Sequence, residues 1–422
     1  MEAMTFDILA RSARSSARVG RLTTPHGSLG TPAFMPVGTR GSVKGLLPSL
    51  IAATGSQIVL ANTYHLLLRP GPDLVSALGG LHRFMGWPGP ILTDSGGYQA
   101  FSMADANQID EDGVTFRSEV DGSNVRLTPE IATQVQNRLG ADIIMAFDDC
   151  PPARDPEGGQ DDGEYARRLR LAIERTRRWA RRCVDAHERP AEQALFGIVQ
   201  GGTDLVLREQ SARDVCGLDL PGYAIGGVAV GEGPEQIQRV VVHTAALLPE
   251  DRPRYLMGVG YEADIVGAVL AGVDMFDCVL PTRNGRNATA FTAAGQIRLR
   301  NSRFRDDAGP IEAGCDCHAC DPAAHAWATP GGVGGLGGGA LSRAYIRHLF
   351  MAREMLGPIL VSLHNVRYFQ RLMLDIARTI REDDWLGLAR RWPVVADVVR
   401  RRIGSGSDRH QPTGASDRSG QG

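Results

Sequence analysis

Lysine is almost missing from this chain: Lys44 is the only one, and arginine supplies the rest of its 46 basic residues. Coding bias toward GC-rich codons explains such a skew before any function does. Excess charge of one sign is missing too. The net charge is −2, so the global field predicts no polyanionic partner, and contact with nucleic acid would have to come from a local patch. No run of about twenty apolar residues is present, which argues against a membrane span. The first residues, MEAMTFDILARSARSSARVG, lack the apolar block of a secretory signal. Cysteines number seven, an odd count without the spacing of a disulfide scaffold, so a reducing cytoplasm is expected. A phosphate loop ending in Lys-Ser/Thr is also lacking. Gly332, Gly334 and Gly337 match G-x-G-x-x-G letter for letter. No apolar strand precedes them and no acidic residue follows at ribose-binding distance, so the stretch reads as a flexible linker.

Hydrophobic residues make up 43% of the 422 positions, enough for a sizeable core. They fall into short apolar runs that each end in a polar or glycine cluster. PILTDSGGYQ delivers Asp94, ADIIMAFDDC delivers Asp148 and Asp149, and GVDMFDCVLPTR delivers Asp277. SQIVLANT, ALFGIVQGG, GYAIGGVAVGE and PRYLMGVG end in Asn62, Gln200, Gly227 and Gly258. Runs of this length suit strands buried on both faces, as in parallel sheets. Strands that release polar residues at one common end build a site at the C-terminal mouth of a barrel. The pattern predicts an α/β enzyme.

Segments between the runs carry helical spacing. In 167–182, Leu169, Ile173, Thr176 and Ala180 recur at steps of three and four among many arginines. A solvated outer face of a barrel helix is the default for such a stretch, ahead of an RNA-binding stripe. After Pro281 the pattern changes to short hairpin strands, a cysteine cluster, a glycine-rich stretch and helices centred on SRAYIRHLFMAREML and HNVRYFQRLMLDIARTI. The expected organisation is a barrel over 1–294 and a small subdomain over 295–375 containing the glycine-rich insertion 321–341. A helical segment over 376–403 and a disordered tail over 404–422 complete it.

Cys315, Cys317 and Cys320 form C-x-C-x-x-C, a density of thiolates that favours zinc. Spacing alone leaves His318, His325, His348 and His364 as candidates for the fourth ligand. A site filled by four protein ligands has no open position, so the metal is expected to be structural. Asp94 is followed by Ser95, Gly96 and Gly97, a turn that can expose its side chain at a strand end, although a helix cap would use the same residue. Asp274 and Asp277 share one strand. Alternation allows only one of them to face the barrel mouth, and the pattern does not say which.

VLANTYHLLLRPG, ILTDSGGYQ, ADIIMAFDDC, FGIVQGG, YAIGGVAVGE, YLMGVG, DMFDCVLPTRNGRN, C-x-C-x-x-C and LHN run in order along the chain. Together they resemble the bacterial tRNA-guanine transglycosylases. The resemblance implies a (β/α)8 TIM-type barrel with a zinc-binding subdomain, a homodimer, and exchange of the wobble guanine of tRNA for a 7-deazaguanine base. Carried over by position, it makes Asp277 the nucleophile and Asp94 the general acid/base. Asp148, Gln200 and Gly227 would read the base edge, with Ser95, Val228 and Gly258 beside them. Tyr98 and Met257 would sandwich the ring, Arg283 and Arg286 would contact the anticodon, and Cys315, Cys317, Cys320 and His364 would hold the Zn2+.

This chemistry suits the residues. A carboxylate can attack the anomeric carbon and hold the RNA while the base changes, and a second carboxyl can protonate the departing base and deprotonate the incoming one. A stacked base must first be flipped into a pocket. Cys150 and Val230 bear on pocket size. Members that take full-sized queuine resemble one another in having glycine at the position of Val230, so 7-aminomethyl-7-deazaguanine is the expected base. Glu232 matches a residue that orients the nearby peptide. Departures from the pattern are Val228 for leucine, Asp149 for glutamate, and the 321–341 insertion, which puts the dimer geometry in question. A non-catalytic RNA-binding paralogue would have lost Asp94 or Asp277, and a metal-dependent barrel hydrolase would carry paired histidines at strand ends.

Overall fold

The computed structural model describes residues 3–102, 107–152, 162–321 and 340–404. Eight parallel strands close into a barrel. In chain order they are β1 (Ala33–Gly38), β2 (Val59–Ala61), β3 (Ile91–Thr93), β4 (Ile143–Met145), β5 (Ala194–Val199), β6 (Gly222–Ile225), β7 (Arg254–Leu256) and β8 (Met275–Cys278). Closure comes from β8 pairing with β1, where Asp277 sits opposite Met35 and Cys278 opposite Pro36. All seven apolar runs of the sequence are barrel strands, and PAFMPVG supplies the eighth. Inward-facing Met35, Leu60, Leu92, Met145, Phe196, Ala224 and Tyr255 fill the centre, so the barrel is packed rather than open.

An antiparallel sheet of Thr5–Arg11, Arg18–Thr24 and Gly27–Thr31 precedes the barrel. Its Leu22 and Leu29, with the adjoining Met4, join the same interior cluster and plug the N-terminal mouth. Asp142, fully buried just before β4, accepts the Ile91 N–H at 2.8 Å and faces His26 Nδ1 at 2.8 Å and His82 Nε2 at 3.0 Å. The two imidazoles stack with centroids 3.4 Å apart. This end of the barrel is therefore tied shut, and the opposite end is left for chemistry.

Helix Asp162–Ala186 buries Leu169, Ile173, Thr176 and Ala180, the four positions marked by helical spacing. Four of its eight arginines are paired within the fold. Arg168 and Arg175 converge on the buried Asp149, Arg178 pairs with Glu111 and Arg182 with Glu130. Glu111 belongs to the loop of a small sheet, Asn107–Ile109, Val114–Arg117 and Asn124–Leu127, inserted after β3.

After β8 the chain forms helix Leu280–Arg286, the hairpin Thr289–Thr292/Gly295–Arg298, the cysteine cluster and helix Arg343–Met351. It then returns along the barrel as the 27-residue helix Leu356–Glu382. Phe369 of that helix stacks on Phe34 at 4.7 Å, and Gln370 donates to the Phe34 carbonyl at 3.0 Å. Most of the glycine-rich insertion and the C-terminal tail expected from composition lie outside the described residues. No helix among the described residues is long and apolar enough to cross a membrane.

Candidate active site

Each strand end contributes through a local turn. β2 stops at Asn62, which caps helix Thr63–Leu68 by accepting the His65 N–H at 3.2 Å. The other end of the same side chain donates to Asp94 Oδ2. Asp94 ends β3, and its Oδ1 accepts the Thr63 N–H at 2.9 Å. Gly96, at φ 78°, completes the turn; a Cβ there would lie 3.0 Å from the Tyr64 nitrogen, so both conformation and crowding disfavour a side chain.

Asp148, beyond β4, accepts from Gln200 Nε2 at 2.6 Å and faces Ser95 Oγ at 3.4 Å. Asp277, near the end of β8, accepts through one oxygen only: Oδ1 takes the Tyr255 hydroxyl at 2.6 Å and the Gly258 N–H at 2.8 Å. Among the described residues no donor is paired with Oδ2. The strand's other acid points elsewhere. Asp274 is fully buried at the opposite end, gripped by Arg18 at 2.9 and 2.6 Å and by the Arg254 N–H at 2.7 Å. Strand alternation thus separates a structural aspartate from one at the mouth.

The mouth is largely buried and rich in carboxyl groups. Burial lifts the Asp94 carboxyl to about 7, opposed by the Thr63 and Gly96 N–H groups and reinforced by the charges of Asp277 and Asp148. Burial raises Asp148 to about 6 against the pull of Gln200. Asp277 is raised by the same cause, although it is only partly buried and two donors oppose the shift. Tyr255 is held well above its ordinary range by burial and by the Asp277 charge, so it stays a donor. An acid that titrates near neutrality beside one with a free, oriented oxygen is the arrangement that acid/base and nucleophilic roles require.

The remaining expected residues lie on the turns and helices that follow the barrel strands. Tyr98 stands half-exposed on helix Gly97–Ser102, and Met257 is partly buried just beyond β7. Cys150 is buried, its thiol pushed up to about 12 by desolvation and by Asp148, and is therefore neutral. Val228 is buried and Val230 half-buried in the turn after β6, where Glu232 accepts the N–H groups of Ala229 (2.7 Å) and Val230 (2.9 Å). Arg283 is exposed and Arg286 half-buried on helix Leu280–Arg286.

Away from the mouth, Sγ of Cys315, Cys317 and Cys320 lie 3.6, 3.4 and 3.5 Å from His364 Nδ1. Tetrahedral zinc with bonds of about 2.3 Å to sulfur and about 2.1 Å to nitrogen needs S···N separations of roughly 3.6 Å. His364 Nε2 faces the Phe291 carbonyl at 2.8 Å, which leaves Nδ1 free to ligate. The four residues are buried and fit a metal ion. Of the described histidines open to spacing, His318, His348 and His364, the last converges with the cysteines; His325 lies outside the described residues.

Two residues that hold the acids lie within the quoted motifs, Tyr255 in YLMGVG and Thr63 in VLANTYHLLLRPG, but the sequence assigns neither a role. Tyr255 lies two positions before Met257 on β7, so period-two alternation is the signal that could have pointed to it. Thr63 meets the Asp94 carboxyl through its backbone N–H and the Asp94 carbonyl through its hydroxyl.

Residues 13–394 match the family described as Queuine tRNA-ribosyltransferase. The chain is 51% identical over 404 residues to a queuine tRNA-ribosyltransferase of Thermus thermophilus, covering 96% of both chains. It is 53% identical over 374 residues to that of Symbiobacterium thermophilum, covering 89% of this chain and 87% of the relative. Against a Staphylococcus aureus protein of the same name, identity is 48% over 383 residues, with 91% and 94% covered.

Proposed function

This chain belongs to the queuine tRNA-ribosyltransferase family, and from that premise we propose that it exchanges guanine in tRNA for 7-aminomethyl-7-deazaguanine by two displacements at one ribose carbon. The observation that carries the reading is the pair Asp277 and Asp94. One has a free oxygen beside two donors that fix its other oxygen, and the other titrates near neutrality.

The target nucleotide is flipped into the mouth, its base between Tyr98 and Met257. Asp148 accepts the adjacent N–H groups of the guanine edge, with Gln200 and Ser95 holding it in place and the Gly227 N–H meeting the base carbonyl. Adenine would leave that buried carboxylate unpaired, which costs more than a missing contact. Asp277 Oδ2 attacks the anomeric carbon as the bond to the base nitrogen breaks, and Asp94 gives that nitrogen its proton. Guanine departs, the deazaguanine enters, and Asp94, now a carboxylate, takes the proton from the incoming nitrogen. That nitrogen then attacks the same carbon and displaces Asp277. Two inversions retain configuration, and one glycosidic bond replaces a near-equal one, so no nucleotide energy source is needed.

Zinc is the ion we assign to the cysteine and histidine cluster, where four protein ligands leave it a structural role. Arg283 and Arg286 would read nucleotides beside the target, and the exposed Arg298, Arg300, Arg303 and Arg305 would meet phosphates. The half-buried Val230 narrows the space beyond the aminomethyl arm. A homodimer is part of the proposal, and a monomer at micromolar concentration in sedimentation equilibrium would contradict that part.

Incorporation of labelled guanine into unmodified tRNA with a wobble guanine tests the exchange itself. The expected result is guanine-specific uptake without nucleotide triphosphate; no uptake under any salt condition would overturn the reading. Faster incorporation of queuine than of the aminomethyl base would overturn the substrate assignment alone.

A further inference from the structure

Arg208 lies on helix Leu205–Cys216, directly after β5, and is completely buried. Its guanidinium is spent on backbone carbonyls. Nε donates to Gly202 at 2.9 Å, Nη1 to Val199 at 2.9 Å and Gly226 at 2.6 Å, and Nη2 to Gly227 at 3.0 Å. Among the described residues no carboxylate is paired with it. A buried cation held by carbonyls alone is expensive to desolvate.

The turn it grips has a specific polarity. In a trans peptide the C=O and the following N–H point in opposite directions. Drawing the Gly226 and Gly227 carbonyls toward the guanidinium therefore turns the N–H groups of Gly227 and Val228 away from it. The next two N–H groups, of Ala229 and Val230, are taken by the Glu232 carboxylate. Among the described residues neither the Gly227 nor the Val228 N–H has an acceptor. The turn is thus clamped between a cation and a carboxylate with two donors left over. Gly227 stands beside Gln200, which holds Asp148; a Cβ on Gly227 would collide with Gln200 Oε1.

We infer that Arg208 is a positioning residue that aims and polarises these amides as donors to the carbonyl oxygen of the bound base. The inference rests on the base-exchange reading. As the bond from ribose to the base nitrogen breaks, part of the electron pair reaches that oxygen, and donors fixed beforehand stabilise the charge without reorganising. A peptide whose carbonyl sits on a cation is a stronger N–H donor, so the charge of Arg208 acts through the peptide without touching substrate.

The test compares guanine with 6-thioguanine, which keeps the N–H edge read by Asp148 but offers sulfur, a weaker acceptor, in place of oxygen. Incorporation of each base is measured for the wild type, Arg208→Lys and Arg208→Gln. The wild-type preference for guanine should shrink about tenfold or more in both variants, as coupled groups require, while KM for tRNA stays within about twofold. An equal loss for both bases, or a matching rise in KM for tRNA, would make Arg208 merely structural and overturn the inference. If neither variant folds, the wild type carries the test by amide NMR. Guanine should move the Gly227 and Val228 N–H resonances downfield more than 6-thioguanine does, and equal or absent shifts would overturn it. Failure of the wild type to incorporate guanine would instead sink the exchange reading.

Discussion

Asp277 sits in β8 and Asp274 immediately before it, three residues apart, and they do unrelated work. Asp274 holds Arg18 under the barrel, and Asp277 meets Tyr255 and Gly258 at the mouth. Asp277→Asn keeps shape and loses the attacking charge, so exchange should fall by roughly a thousandfold or more while the melting temperature hardly moves; single-turnover rates and thermal unfolding check both. For Asp94 the pH dependence has a definite sign. Its carboxyl rises from 3.8 to about 7 on folding, so its contribution to stability is full below the unfolded value and is lost as pH rises through about 7. The loss is roughly 4 kcal/mol at most. Asp94→Asn should therefore gain stability relative to wild type at pH 8 and not at pH 4, as urea unfolding at the two pH values would show. A variant less stable than wild type at pH 8 would contradict the burial argument. Under the proposed mechanism the same carboxyl is protonated for departure and ionised for entry, so exchange should peak near neutrality and decline on both sides.

At the level of elements, the barrel strands are legible in the sequence because burial on both faces leaves continuous apolar runs. β1 does not stand out in the same way: AFMPVG carries Pro36, which reads as a strand breaker. The N-terminal plug and the sheet over 107–127 are equally quiet, since each hides only one face and alternates with polar residues. Arg208 has no sequence signature, because one arginine on a helix gives no sign that it turns inward. Asp149 shows the same difficulty. Adjacent to Asp148, it is fully buried and anchors helix Asp162–Ala186 through Arg168 and Arg175, while its own N–H bonds Thr176 Oγ1 at 3.0 Å. Asp149→Ala would leave the arginines uncompensated, at a cost of about 3 kcal/mol, and should also weaken base binding by loosening Asp148. Urea unfolding and KM for the base measure the two effects, and an unchanged midpoint would contradict the first. For the subdomain that carries the cysteine cluster, where we propose zinc, Cys317→Ser should lose the metal and lower the melting temperature by about 10 °C or more. Elemental analysis and calorimetry check this. Chelation that destroys exchange without lowering stability would instead point to a catalytic ion.

Across the whole molecule, a net charge of −2 is set against a cluster of exposed arginines following β8. If tRNA is met there, affinity should fall steeply with salt. Replacing Arg298 and Arg305 with alanine should flatten the log–log slope by about 0.7 for each phosphate no longer neutralised, as filter binding across a salt series would reveal; an unchanged slope would move the RNA elsewhere. The closed barrel brings all of this together by delivering residues more than two hundred positions apart, Asn62 and Asp277 among them, to one rim. The most direct measurement is peptide mapping by mass spectrometry after the protein is mixed with tRNA in the absence of free base, quenched in acid and digested with nuclease. The account predicts a ribonucleotide fragment esterified to Asp277. An adduct on Asp94 or Asp148, or full exchange with no adduct at any time point, would contradict it.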